Sequence, residues 1–467
     1  MNVIWITSDT YRQDHMGAYG HPFIRTPSLD ALAARSTRFD RCYIAAFPTM
    51  PTRADHLTGR FTMSFMGWEP LGRELRTLPQ LLNRAGITTA AVVDTPFYQR
   101  NGMNYDRGFR HFHFVPGQMY GGEGLDIKRW WRKESDRHVA KTMTLAGDWL
   151  EQHYKEAFFL YVDTWDPHEP WDAPDYYTEL YMPDYDGEIV HPVYARWQDV
   201  PGFSKDKVDK AHAQFCGETT LVDTWVGQLL RKVENLGIAD ETAILFTSDH
   251  GFYFGEHDGL FGKLVVGKRP DGLPFVTGPN FAAMSRLGRR PDPDASWDHS
   301  PLYEEVASIP LLIHVPGVDP GVSSSLVSAV DLMPTTLDLF GQPVPDWVDG
   351  RSLLPAVREP STPVRELVVS SHPFVNPGMR TRAVDDVERG VGAEQVTTIT
   401  SEKWSLLYSA AVGKSELFHL ASDPRQEKDV IGAHEDVARE MHRYLLHFMR
   451  EAGTSPDLIK PRGELRL

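Results

Sequence analysis

Met1-Asn2-Val3-Ile4-Trp5-Ile6-Thr7-Ser8-Asp9-Thr10 opens the chain with a nearly continuous apolar run that stops at hydroxyls and a carboxylate. A run of this kind suits a strand buried on both faces, and in parallel α/β sheets the functional groups sit in loops just past the carboxyl ends of strands. Phe246-Thr247-Ser248-Asp249-His250-Gly251 repeats the arrangement. Carboxylates and an imidazole at strand ends can converge on a divalent cation, so Asp9, Asp249 and His250 form an oxygen-rich candidate site with one nitrogen. Taken singly, each segment also reads as a helix cap or a turn.

Working outward, apolar segments rich in β-branched residues at 3–7, 88–93, 158–162, 243–247 and 310–314 alternate with helical patterns. Helices are expected from about residue 26, capped by Thr26 or Ser28, and over 78–85, 138–153, 205–236 and 329–339. The alternation predicts an α/β fold with a mostly parallel sheet between helices. Residues 264–300 are polar, aperiodic and rich in turn formers, which suggests an insertion or lid within a catalytic domain spanning 1–357. A second unit is expected over 358–467, with short strands at 366–370, 396–400, 404–408 and 415–419 and a terminal amphipathic helix at about 436–452.

Among the 467 residues, 48 Lys and Arg face 64 Asp and Glu, a net charge of −16 that argues against general affinity for nucleic acid or anionic membranes. An anionic substrate must then be held by local cations. No stretch approaches the roughly 20 apolar residues of a membrane span, and the first residues lack the pattern of a secretory signal, so a cytoplasmic location is expected. The two cysteines, Cys42 and Cys216, lie far apart without C-x-x-C spacing and support neither a disulfide framework nor a thiolate zinc site; both read as buried fillers.

The segment Phe47-Pro48-Thr49-Met50-Pro51-Thr52-Arg53-Ala54-Asp55-His56-Leu57-Thr58-Gly59-Arg60 resembles the C/S-x-P-x-R-x-x-x-L-T-G-R signature of the sulfatase family in the alkaline phosphatase superfamily. Gly255-Glu256-His257 with Gly262-Lys263, the histidine loop Asp166-Pro167-His168-Glu169-Pro170, Val330-Asp331-Leu332-Met333-Pro334-Thr335 and Gly350-Arg351-Ser352 resemble further family landmarks. The resemblance implies an alkaline phosphatase-like core with a small C-terminal α/β subdomain and one divalent metal ion (Mn²⁺, Ca²⁺, Mg²⁺ or Zn²⁺). It assigns that ion to Asp9, Asp249, His250 and the side chain of Thr49. By the same carry-over Arg53 stabilises the nucleophile and developing charge, His168 and Lys263 contact the esterified group, and one of these or His257 protonates the leaving oxygen.

Position 49 departs from the family pattern. Sulfatases oxidise a cysteine or serine there to formylglycine, whose hydrate later expels sulfate by collapsing to the aldehyde; threonine has no such route. A threonine hydroxyl can act as a metal-activated alkoxide, and a threonine phosphate can be opened by water attack at phosphorus. Phosphate or phosphonate ester hydrolysis by Thr49 is therefore the leading expectation. The alternatives are sulfate ester hydrolysis by the unmodified threonine, or a catalytically silent relative that only binds its ligand.

Candidates for a second metal, Asp163, Asp166, His168 and His372, lack the Asp-x-x-x-His spacing of two-metal relatives. Asp94 stands where many relatives carry a basic stretch and is read either as facing a cationic part of the substrate or as a turn or cap. The aromatic and basic run at 126–133 reads as a pocket lid or subunit contact, so a homo-oligomer is an open expectation, and residues 121–124 are not a nucleotide motif. The expected partner is a small anionic ester, with neither nucleic acid nor membrane.

Overall fold

The computed structural model describes residues 1–98, 102–117, 131–263, 300–374, 396–410, 413 and 415–467. The expected insertion at 264–300, apart from Ser300, lies outside the described residues, as do 121–124 and most of the run at 126–133.

An eight-stranded sheet organises the larger part of the chain. From one edge its strands run Gly321–Ser323, Thr37–Phe39, Leu311–His314, Thr242–Ser248, Asn2–Ser8, Phe158–Thr164, Thr88–Val93 and His111–Phe114. The five from Thr242–Ser248 to His111–Phe114 are mutually parallel, whereas Leu311–His314 runs antiparallel to both its neighbours. Successive side chains of the central strand point to opposite faces. Val3 and Trp5 join one apolar core with Tyr161 and Leu245; Ile4 and Ile6 join another with Leu160, Val162 and Phe246. Helices His138–His153 and Lys205–Asn235 cover the second face, and Thr49–Thr58, Leu78–Arg84 and Leu332–Leu339 contribute to the first.

The helix expected near residue 26 spans Pro27–Ala33, but neither Thr26 nor Ser28 caps it with a side chain. Instead Asp223, reaching across from the Lys205–Asn235 helix, accepts from the backbone N–H groups of Ser28 (3.1 Å) and Leu29 (2.7 Å). A buried carboxylate on a neighbouring helix outcompetes the local cap because it also anchors one helix to the other.

A four-stranded sheet, Leu367–Ser371, Val396–Ser401, Trp404–Ser409 and Glu416–His419, is antiparallel throughout and carries the helix Glu435–Glu451. Val369, Ile399, Leu406 and Leu417 pack there with Met441, Leu445 and Phe448, and the same core includes Ala46 and Phe61, which flank the Thr49–Thr58 helix. This second sheet therefore supports the segment carrying Thr49. No helix among the described residues is long and apolar enough to cross a membrane.

Candidate active site

Register brings the acidic residues together. Ser8 lies opposite both Thr164 and Ser248 in the parallel sheet, so Asp9 and Asp249, each one residue farther on, emerge side by side. Thr7 lies opposite Asp163, which puts a third carboxylate beside them. Gly251 lets this turn close, since a Cβ there would stand 1.9 Å from the Glu305 carbonyl oxygen.

The Thr49–Thr58 helix supplies the groups that face these carboxylates, and all ten of its residues are buried. Thr52 Oγ1 donates to the Ala46 carbonyl (2.6 Å) and lies 3.2 Å from that of Asp249. Asp55 accepts from the N–H of Ala46 (2.7 Å) and from the N–H and hydroxyl of Thr62 (2.9 and 2.6 Å), tying both flanks of the helix together. Gly59 ends it at φ +64°, its N–H donating to the Asp55 carbonyl at 2.8 Å. Arg60 pairs with Asp349 at 3.7 Å and lies over the Phe65 ring. The Leu57 to Arg60 portion of the motif is thus structural, and Thr49 stands at the helix N-terminus, where the dipole favours negative charge.

Thr49 Oγ1 is 3.5 Å from His250 Nε2. His250 Nδ1 is 3.0 Å from the Gly251 carbonyl and donates to it, leaving the Nε2 lone pair free; burial pulls the imidazole pKa down to about 4, which keeps it neutral. Arg53 lies fully inside. Its Nε and Nη2 grip Asp163 at 2.8 and 2.7 Å, Nη1 donates to Asp249 at 2.5 Å, and Nη2 is 3.1 Å from Asp9 Oδ2. Nη1 also donates to the Thr49 carbonyl at 3.2 Å, so Arg53 orients the acidic cluster and braces the residue expected to be the nucleophile. Asp163 also accepts from the hydroxyls of Tyr161 and Thr95, at 2.9 and 2.8 Å, and from that of Tyr98.

Donor atoms of Asp9, Asp249 and His250 lie within 4.8 Å of one another, and Asp9 Oδ2 accepts no hydrogen bond. Three buried carboxylates share one guanidinium, and burial followed by the neighbouring Asp249 raises the pKa of Asp9 well above the carboxylate range. That surplus of negative charge, together with an Asp9 oxygen held only by the shared Arg53 ion pair and a His250 Nε2 lone pair facing Thr49, fits a divalent cation.

Lys263 and His168 form the other half of the site. Lys263 Nζ is 2.5 Å from His168 Nε2 and 3.3 Å from Glu169 Oε1. His168 Nδ1 donates to the Glu169 carbonyl (2.6 Å) and its ring lies against Trp165, 3.9 Å between centroids. Burial, reinforced by Lys263, lowers the His168 pKa well below the ordinary histidine value, so its Nε2 accepts from the lysine ammonium. His257 is placed elsewhere: its Nε2 meets Glu305 at 2.9 Å and its ring stacks on Tyr303. Asp94 is buried, accepting from Thr142 (2.8 Å), Thr164 (3.2 Å) and the Trp165 N–H, the kind of local backbone and hydroxyl contacts that its turn or cap reading expects. Asp163 was weighed from the sequence only as a second-metal candidate and set aside on spacing; that it directly follows an apolar run was the available signal for a place at a strand end.

A family model described as Sulfatase matches residues 1–342, and one described as N-sulphoglucosamine sulphohydrolase, C-terminal, matches 295–451. The chain is 25% identical to an N-acetylglucosamine-6-O-sulfatase of Bacteroides thetaiotaomicron, over 94% of this chain and 84% of that protein. It is 24% identical to an arylsulfatase of Clostridium perfringens, over 93% and 91% of the two chains. Among solved structures, a phosphonate monoester hydrolase of Agrobacterium radiobacter superposes with a TM-score of 0.72, at 22% identity, covering 97% of this chain and 96% of that one.

Proposed function

The chain belongs to the sulfatase family, and from that premise we propose that it hydrolyses sulfate esters of small molecules, with Thr49 as the attacking group. Sulfate moves ahead of the phosphoryl esters expected from the sequence because most of the curated relatives are sulfatases, two of them matched along most of their length, whereas the phosphonate monoester hydrolase shares the fold at 22% identity. The observation that carries the reading is the placement of the Thr49 hydroxyl 3.5 Å from His250, beside Asp9 and Asp249.

Asp9, Asp249, His250 and Thr49 would hold one divalent ion. Bound there, the ion supplies Lewis acidity that lowers the pKa of a hydroxyl and polarises an ester oxygen. The chain's own groups do the rest. Thr49 Oγ1, at the positive end of its helix, gives up its proton to solvent and attacks sulfur, forming a threonine sulfate as the bond to the alcohol oxygen breaks. Lys263 gives a proton to that departing oxygen, and His168 and Glu169 position the ammonium. Water then attacks sulfur and Oγ1 leaves; one water proton restores the threonine hydroxyl, the other returns to Lys263, and sulfate is released. Arg53 holds Asp163 and Asp249 in place throughout, and His257 receives no part.

Thr49 itself favours a second reading, phosphate or phosphonate ester hydrolysis, because threonine cannot use the aldehyde-hydrate route. A side-by-side panel of aryl sulfate, phosphate, phosphonate and phosphodiester, with several divalent ions, separates the two. Fastest turnover of the sulfate supports the main reading, and fastest turnover of a phosphoryl ester replaces it with the second. No turnover of any, with metal bound, refutes both and leaves a binding protein.

A further inference from the structure

A second group of metal-ligand side chains lies outside the proposed active site. His15 ends the short turn Gln13–His15, and His212 and Cys216 stand one turn apart on the Lys205–Asn235 helix, which places both on one face. Their donor atoms lie within 4.8 Å of one another. His15 Nε2 is 2.7 Å from His212 Nε2, and Cys216 Sγ is 3.8 Å from that same nitrogen. We propose that His15, His212 and Cys216 bind a zinc ion, or a similarly soft divalent transition metal, distinct from the ion of the active site.

The ligand set selects the metal. One thiolate with two imidazoles suits zinc, and disfavours magnesium or calcium, which take oxygen ligands. Zinc–nitrogen bonds of about 2.0–2.1 Å and a zinc–sulfur bond of about 2.3 Å, arranged tetrahedrally, set donor atoms about 3.3–3.6 Å apart. The two separations from His212 lie on either side of that span, so shifts of about 0.6 Å or less bring them into it, and the third pair, within 4.8 Å, closes by about 1.2 Å at most.

His15 is already oriented for the task. Its Nδ1 donates to Asp14 Oδ1 at 2.8 Å, which fixes the tautomer that leaves Nε2 bare, and Arg12 grips the same carboxylate at 2.8 and 2.6 Å. A carboxylate behind a ligating histidine is the usual outer support of a zinc site. On binding, the Cys216 thiol releases its proton to solvent and the ion bonds to sulfur. The proton on His212 Nε2 that now separates the two imidazoles moves through solvent to Nδ1 of the same ring, which stays neutral and turns a bare Nε2 to the ion. His212 is only half-buried, which leaves the fourth position to water. Cysteine spacing gave no hint of this group, because two ligands sit one helical turn apart and the third is 197 residues away.

The probe is Co²⁺ added to the metal-free full chain, with Zn²⁺ content measured in parallel. The wild type is expected to show a near-ultraviolet thiolate-to-cobalt charge-transfer band and to hold one more zinc ion per chain than Cys216→Ser. His212→Ala should behave like Cys216→Ser, and Cys42→Ser like the wild type. Should Cys216→Ser fail to fold, protection of Cys216 from a thiol reagent by Zn²⁺ in the wild type decides the matter. Absence of the band in folded wild type, its persistence in Cys216→Ser, or equal zinc content in the two would overturn the site.

Discussion

At the scale of single residues, Arg53 decides whether the site can exist as a cluster of charges. Its guanidinium is the shared partner of Asp9, Asp163 and Asp249, all fully buried. Arg53→Met should lower the unfolding free energy by about 3–5 kcal/mol, since removing one member of a buried charge network strands the others. Denaturant titration checks this. Removing divalent metal should weaken the wild type in the same direction: an ion present at one hundred times its Kd adds about 2.7 kcal/mol, so thermal unfolding with and without chelator should separate. Asp9, Asp249 and His250 were legible because each follows an apolar run, and Thr49 because it falls within a spaced motif. The grip of Arg53 on Asp163 was not legible, because it depends on the register of neighbouring strands and not on any spacing along the chain.

Elements show where local rules suffice and where they fail. The long helices and central strands came out close to their expected bounds, since periodicity over many residues carries a strong signal. The outermost strands Thr37–Phe39 and Gly321–Ser323 are three residues each, too short for a pattern; the first exists because Leu311–His314 offers an edge to pair with, and the second pairs in turn with the first. The start of the Pro27–Ala33 helix depends on Asp223, so Asp223→Ala should cost about 1 kcal/mol, a loss that Thr26→Ala should not reproduce by the same route. At the other end of the Thr49–Thr58 helix, a Cβ on Gly59 would meet Val348 Cγ1 at 2.9 Å in a left-handed conformation. Gly59→Ala is expected to lower stability by about 1–2 kcal/mol or more, measured by thermal unfolding, and to reduce activity by displacing Thr49.

For the molecule as a whole, the α/β class and the presence of a smaller C-terminal unit were legible, whereas its purely antiparallel sheet and the way its core merges with Ala46 and Phe61 were not. Such docking is a contact between distant segments and leaves no periodic trace. Global stability should also carry a signature of His56, which is buried against Trp5 with neither ring nitrogen hydrogen-bonded. Burial, helped by Arg53, lowers its pKa to about 3, against about 6.5 when unfolded. The folded state thus binds fewer protons, so this contribution is complete above the unfolded value and is lost as pH falls towards 3. His56→Phe should gain on the wild type by about 1.4 kcal/mol for each pH unit in that window, read from paired denaturant titrations; a difference that stays constant would show that His56 does not stay neutral inside. The most direct test of the whole account is the turnover of metal-loaded Thr49→Ala and Thr49→Ser on whichever aryl ester the wild type cleaves fastest, with bound metal assayed in each. The account predicts a loss on the order of a thousandfold or more in Thr49→Ala, substantial activity in Thr49→Ser, and metal largely retained in both. Near-normal turnover by Thr49→Ala would contradict it.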